Sequence, residues 1–207
     1  NELLESLKNY SYPPTPARRV DSEIKTRTKT RPLGIPSTED KLVQEVVRMI
    51  LESIYEPTFS KSSHGFRPKR SCHTALQQIQ RQFTGVAWFV EGDIHACFDS
   101  FDHHVMIDLL RKRIEDENFI ALMWKMMRAG YMEQWVYHCT YSGTPQGSGV
   151  SPILANIYLS QMDDFAEALK SSFDKGNCET NHAYGRAASK LFYTRQRNRK
   201  NWQNWGK

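Results

Sequence analysis

The sequence predicts an α+β fold, with helices packed on a small, mainly antiparallel sheet. Three observations carry that expectation. Apolar residues recur with helical period over 38–56, 103–114, 117–129 and 151–169. Shorter stretches at 17–24, 29–35 and 134–141 read as strands, the first two joined by a basic polar turn. Between these groups, Val86-Ala87-Trp88-Phe89-Val90 is a continuous apolar run that suits a strand covered on both faces.

Taken in order, Glu2 to Lys8 reads as a short helix. Ser11-Tyr12-Pro13-Pro14-Thr15-Pro16 ends it as an extended, proline-rich connector. Ala17–Ile24 and Lys29–Ile35 form the expected hairpin, and Pro36 closes its second strand. Ser37 or Thr38, with Glu39 and Asp40, opens an amphipathic helix that Pro57 ends. Its expected apolar face is Leu42, Val46, Met49, Ile50 and Ile54. Ser62 to Ser71 is a basic loop, and a helix follows from about His73 to Gln82. After the apolar run come helices at about His103–Ile114, N-capped by Asp102 or Ser100, and Glu117–Ala129. Gln134–Tyr141 alternates like a strand. The glycine-rich loop Ser142 to Gly149 then leads into a long helix from Ser151 to about Leu169, with Pro152 in its first turn. Residues 171–185 read as loop and the tail beyond as helix.

At 207 residues, 39% apolar and 12% aromatic, the chain has ample material for a folded core, in one large domain or two small ones. Cys72, Cys97, Cys139 and Cys178 show no metal-ligand spacing and read as free thiols of a reducing compartment. No apolar run approaches the ~20 residues of a membrane span, and NELLESLKNY is not a signal peptide. The net charge of +5 is unevenly placed. Residues 18–31 carry +4 and residues 186–207 carry +7, leaving −6 for the remainder. Basic charge gathered in two segments points to phosphate-bearing partners. The tail also interleaves Phe192, Tyr193, Trp202 and Trp205 with its cations, which suits stacking; the alternative is a helix whose partner surface lies elsewhere.

Two stretches carry candidate chemistry. The apolar run turns polar at Glu91-Gly92-Asp93, with further carboxylates at Asp99 and Asp102. A carboxylate fixed at the end of a buried strand is a hard oxygen ligand with little freedom, which Mg²⁺ catalysis needs. The residues alone leave Asp93 open as either a metal ligand or a loop carboxylate without a role. In the second stretch, Gly143, Gly147, Gly149 and Pro145 hold the backbone in unusual conformations just before a helix N-terminus, where N–H groups favour phosphate. Gln146 adds a donor and an acceptor there. Many glycine-rich loops are only turns.

Arg31-Pro-Leu-Gly-Ile-Pro36, His64-Gly-Phe-Arg-Pro68, Gly92-Asp-Ile-His-Ala-Cys-Phe-Asp99 and Gly143-Thr-Pro-Gln-Gly147 with Ser151-Pro-Ile-Leu-Ala-Asn-Ile-Tyr-Leu159 occur in this order. Together, from about Tyr10 to Phe165, they closely resemble the reverse transcriptase domain of group II intron-encoded proteins, also called maturases. The resemblance implies an RNA-directed DNA polymerase with fingers at 1–84 and a partial palm at 85–170, the palm being a split β-α-β sheet. A basic aromatic tail at 171–207 matches only loosely. Asp93 matches the first catalytic aspartate, a ligand of two Mg²⁺ ions, and the Ile94 carbonyl would take a further place. Phe98 matches the residue beneath the incoming sugar, and Gln146 and Gly147 match the loop against nucleotide and template. Lys25 and Arg31 resemble the fingers residues that hold the triphosphate. RNA contacts are expected from Arg18, Arg19, Arg67, Lys69, Arg70, Arg195, Arg197 and Arg199, while Asp99 is read as structural support.

The implied partners are group II intron RNA, a template RNA with a DNA primer, and a dNTP. The implied setting is the bacterial cytoplasm, away from any membrane. A truncated palm would expose apolar edges, so a homodimer is among the expected assemblies. The family's aromatic-Ala-Asp-Asp motif has no counterpart here. Gln161-Met162-Asp163-Asp164 falls inside a helical pattern, where adjacent side chains point about 100° apart. The chain is therefore expected to stop before that motif and the thumb, and to be inactive alone. A non-catalytic RNA-binding role in splicing is the alternative reading.

Overall fold

The computed structural model describes residues 2–22, 31–84, 86, 89–144, 147–173 and 181–204, with backbone only at 21, 22, 31 and 197–204. The chain gathers into two compact units, residues 1–166 and 167–207. In the first, α1 (Glu2–Lys8) and the proline connector lead to β1 (Ala17–Ser22) and β2 (Arg31–Ile35). These pair antiparallel, Arg18 opposite Ile35 and Ser22 opposite Arg31. Then follow α2 (Thr38–Tyr55), α3 (Cys72–Gln82), α4 (His103–Arg111) and α5 (Glu117–Met127). A second hairpin, β3 (Tyr131–Glu133) and β4 (Val136–His138), precedes α6 (Ser151–Phe173). β1 also pairs parallel with β3, so the sheet runs β2-β1-β3-β4 and ties the two hairpins together. The second unit holds the end of α6 and α7 (His182–Asn204).

The core lies where α2, α4, α5 and α6 meet. Leu51, Met106, Leu110, Met123, Leu154 and Ile157 are its most deeply buried large side chains. Each such burial stabilises by about 1.5–3 kcal/mol, so these helices form the scaffold on which the loops rest. Asp102 caps α4 through bonds from the His104 and Val105 amides at 2.7 and 3.2 Å, as expected; Ser100 does not.

α2 corrects one expectation. The expected apolar face is the outer one: Leu42, Val46, Met49 and Ile50 are exposed. The buried face is Val43, Val47, Leu51 and Tyr55. The cause sits at the helix N-terminus, where the buried Asp40 carboxylate accepts hydrogen bonds from Tyr12 Oη and Ser37 Oγ, each at 2.6 Å, and from Thr15 Oγ1. That tether fixes the roll of the helix, and Val43 and Val47 lie on the same side as Asp40. Burial alone would push the Asp40 carboxyl up, but the hydroxyls of Ser37, Thr15 and Tyr12 outweigh it and hold it below its ordinary value. Burial, and then Asp40 itself, push the Tyr12 phenol far up.

The apolar run before Asp93 corrects another. Val86, Phe89 and Val90 are irregular and exposed, Val90 at 93%, while Ala87 and Trp88 fall outside the described residues. A strand needs neighbours for its N–H and C=O groups. Among the described residues none runs beside this segment, and the two hairpins satisfy one another instead. Among the described residues the expected split β-α-β sheet is therefore not formed. Nor is 134–141 one strand: Gln134 and Trp135 make the two-residue turn of the second hairpin, with φ of 50° and 66°. Helix also extends further into 171–185 than expected, through Phe173 and again from His182. Cys72, Cys97 and Cys139 are free thiols. Among the described residues no helix is long and apolar enough to cross a membrane.

Candidate active site

Between Asp93 and α4 the chain makes a 3-10 turn over Cys97–Asp99, entered through Ala96 in the left-handed region at φ 49°, ψ 42°. A left-handed alanine costs about 1–2 kcal/mol, so the surroundings must hold the turn in place. The glycine-rich loop does so. Gly143 N donates to Phe101 O at 2.7 Å, Thr144 N to Phe98 O at 2.8 Å, and Ser142 Oγ to Asp99 O at 3.0 Å. From α4, the buried His103 donates through Nε2 to Gly143 O at 2.7 Å. Gly143 has φ 75°, and a Cβ there would stand 2.4 Å from Phe98 O, so only glycine fits. Phe98 is half-buried with its ring edge-on to Phe101 at 6.2 Å, and Phe101 packs on Tyr158 of α6 at 4.8 Å.

The far side of the same loop abuts the first hairpin. Gly147 has φ 109°, and a Cβ there would come within 2.5 Å of Gly34 O on β2, the strand that opens with Arg31. Gly149 N donates to Gln44 Oε1 of α2 at 3.1 Å. The Phe98 turn, the Gly147 loop and β2 thus meet, although far apart in sequence. A cleft of about 390 Å³ opens there, with Arg19, Gly34, Asp99, Tyr131, Thr140 and Thr144 among its walls. Among the described residues, Arg19 Nε, Thr140 Oγ1 and Thr144 Oγ1 are buried without a hydrogen-bond partner. Arg19 Nε lies 3.4 Å from Glu133 Oε1, close enough for an ion pair yet misaligned for a hydrogen bond, and its guanidinium sits 5.0 Å over the Tyr131 ring. Thr144 was legible only as part of its motif; Thr140 carried no sequence signal.

Asp93 is exposed rather than fixed at the end of a buried strand, because the run before it is not a strand. It lies close enough to the turn that, after burial, its charge helps push the Cys97 thiol up. Its carboxylate and the Ile94 carbonyl are the hard oxygen donors that Mg²⁺ takes. A two-metal site about 3.5–4 Å across needs several convergent carboxylates. Among the described residues no group of three His, Cys, Asp or Glu side chains converges to hold an ion. The donor set fits part of such a site and not the whole. Asp163 and Asp164 lie inside α6, as the sequence pattern required.

The expected RNA contacts divide. Arg18 and Lys69 are exposed, as is Arg195 on α7, while Arg197 and Arg199 are described by their helical backbone alone. Arg67 is turned inward. Its guanidinium donates to the Glu56 carboxylate at 2.9 Å and to the Ser60 and Ser63 carbonyls at 2.6 and 2.8 Å, and it covers the Phe59 ring at 5.3 Å. It organises the basic loop instead of facing solvent. Arg70 donates to Lys61 O at 2.6 Å. His64 seats the same loop on α3 through Thr74 and Gln78, and Asn156 of α6 donates to Gly65 O at 2.9 Å. Arg31 is placed by its backbone on β2, whereas Lys25 and Gln146 lie outside the described residues.

The family model described as "Reverse transcriptase (RNA-dependent DNA polymerase)" matches residues 22–180. The group II intron-encoded protein LtrA of Lactococcus lactis subsp. cremoris is 54% identical over 178 residues, covering 86% of this chain and 30% of that protein. An uncharacterized 91 kDa protein in the cob intron of Schizosaccharomyces pombe is 52% identical over 174 residues, covering 84% and 21%. The chain therefore spans less than a third of the length of either relative. Among solved structures, a partial Cas6-RT-Cas1–Cas2 complex shares the fold at TM-score 0.50 and 22% identity, covering 81% of this chain and 29% of that one.

Proposed function

The chain belongs to the reverse transcriptase (RNA-dependent DNA polymerase) family, and from that premise we propose that it forms the fingers and part of the palm of a group II intron reverse transcriptase. The reaction is phosphoryl transfer from a dNTP to a DNA primer on an RNA template, and the same protein assists splicing by binding intron RNA. One observation carries the reading: the glycine-rich loop bonds the Phe98 turn through Gly143 and Thr144 and abuts β2 at Gly147, beside a cleft walled by Gly34, Asp99 and Thr144. Phosphoryl transfer asks a protein chiefly for alignment and neutralised charge. In this reading Phe98 supports the incoming sugar, Gln146 and Gly147 pack against the base pair being formed, and Lys25 and Arg31 hold the triphosphate. Asp93 and the Ile94 carbonyl contribute oxygen ligands to a divalent-metal site. Two Mg²⁺ ions, when bound, supply activation of the primer hydroxyl and stabilisation of the leaving pyrophosphate. The fingers–palm boundary falls near residue 85, and an intracellular setting suits the free thiols.

Primer extension on an RNA template tests the assignment. In the complete protein, Asp93→Asn keeps the side chain's shape but removes its charge, so extension should fall by several orders of magnitude with RNA affinity nearly unchanged. The 207-residue chain by itself, with no three metal-ligating side chains converging among its described residues, should not extend a primer. An Asp93→Asn enzyme of near-normal activity, or extension by the chain alone, would sink the assignment.

A further inference from the structure

We propose that the β3–β4 hairpin and the cleft behind it bind a single-stranded stretch of nucleic acid, with Trp135 stacking on an unpaired base and Lys125 and Arg128 meeting its phosphates. The proposal rests on the nucleic-acid reading above but names a surface separate from the cleft walled by Gly34, Asp99 and Thr144. Its first support is the turn itself. Both central positions have positive φ, 50° at Gln134 and 66° at Trp135, a conformation that ordinarily selects Asn and Gly. A tryptophan there is strained, and it gains no burial in return, being 95% exposed. A strained backbone that holds out a bare aromatic ring points to a ligand for that ring.

The second support lies two residues further along the chain, on β4. Tyr137 lays its ring across Gly130, where a Cβ would stand 2.6 Å from Tyr137 Cε2, and keeps 49% of its surface exposed. It edges a cleft of about 630 Å³ whose walls include Pro13, Pro14, Trp124, Lys125 and Arg128, with no Asp or Glu among the lining residues. Arg128 is held 5.3 Å over the Trp124 ring, a contact that leaves its charge intact. Lys125 donates to a neutral acceptor, Tyr10 O, at 3.2 Å. The carboxylate of the hairpin, Glu133, is paired with Arg19 on β1. Ring faces interleaved with cations that form no ion pair among the described residues are the chemistry of single-strand binding, since every unpaired base offers a face and every nucleotide a phosphate. A proline-rich peptide could also use rings and prolines, but the two cations favour phosphate.

The test uses the whole chain and a short labelled oligouridine, read by fluorescence anisotropy across a salt series. Trp135→Ala should weaken binding by about 5-fold or more, the order expected for one lost base–aromatic stack, and Trp135→Phe should retain most of it. Affinity for duplex RNA of equal charge should not change, because paired bases offer Trp135 no face. Trp135→Ala should leave the slope of log affinity against log salt alone, while replacing Lys125 and Arg128 with Gln should lower it by roughly 0.7 per cation. An effect of Trp135→Ala below about two-fold on the single strand, or an equal loss on duplex, overturns the proposal. So does a proline-rich peptide whose binding needs Trp135 when that of oligouridine does not. If the unaltered chain binds no nucleic acid, the broader reading falls as well; if it binds and only the Trp135 effect is missing, the hairpin site alone falls.

Discussion

Replacing Gly143 with alanine tests the contact that assembles the cleft. The substitution meets two separate obstacles. At φ 75° an L-residue pays the left-handed penalty of about 1–2 kcal/mol. The new Cβ would also stand 2.4 Å from Phe98 O, 2.6 Å from Asp99 Cα and 2.7 Å from Asp99 C, all backbone atoms that cannot swing aside. Overpacking of this kind costs about 1–3 kcal/mol. With partial relief as the loop lifts, Gly143→Ala should destabilise the chain by about 2–4 kcal/mol, a fall of roughly 1–2 M in the urea midpoint. Tryptophan fluorescence follows the transition. Gly92→Ala is the control: nothing lies within 4 Å of a Cβ there, and its effect should stay within about 0.5 kcal/mol. Gly143→Asn separates the causes, since asparagine tolerates positive φ but carries the same Cβ. It should fail nearly as badly as alanine. If Gly143→Ala shifts the midpoint no more than Gly92→Ala, the loop is not wedged against the Phe98 turn and the argument for one shared cleft is wrong.

Two further expectations follow from buried charge. Arg67→Ala strips the donors from Glu56 and two loop carbonyls, where the Arg67 and Glu56 side chains are 5% and 29% exposed, so stability should fall by about 3 kcal/mol with RNA affinity barely changed. Lost RNA affinity at unchanged stability would instead make Arg67 a phosphate contact. Asp40 sets a pH dependence whose sign is fixed by its lowered value. The folded carboxyl titrates below the unfolded one near 3.9, so its contribution is complete above about pH 5 and is lost as pH falls through the folded value. Asp40→Asn should be less stable at pH 7 and lose less on acidification, measured as urea midpoint against pH; parallel curves for the two proteins would refute the tether.

Much of the fold was legible because local chemistry and tertiary packing agree. Ser37, Asp102 and Pro152 start helices where their side chains demand it, and the first hairpin has its expected partners. The failures share a cause. α2 carries two apolar stripes, and periodicity cannot rank them. The choice is made by Tyr12 and Thr15, which reach Asp40 from the proline connector and so set the helix's roll. The run at 86–90 has the composition of a buried strand, but composition supplies no neighbour, and strand structure is a property of pairs. Glu56 similarly turns Arg67 inward from outside the basic loop.

The candidate site shows the same division between residue type and placement. Gly143 and Gly147 stand in recognisable strings because a Cβ at either would strike backbone, and Phe98 stands in another, its half-buried ring packed edge-on to Phe101. What the strings omit is that one short loop touches both the turn before α4 and strand β2, which is a tertiary fact. Trp135 was invisible for a sharper reason. Its stretch alternates, and alternation is read as strand; the usual sign of a two-residue turn, Asn-Gly, is absent. Gln134 and Trp135 turn the chain anyway, with β3 and β4 paired on either side and β1 paired against β3. The sheet therefore holds a conformation these two side chains do not favour. The exposed indole and the positive φ beneath it, both invisible in the alternating pattern, are the observations on which the proposed binding site rests.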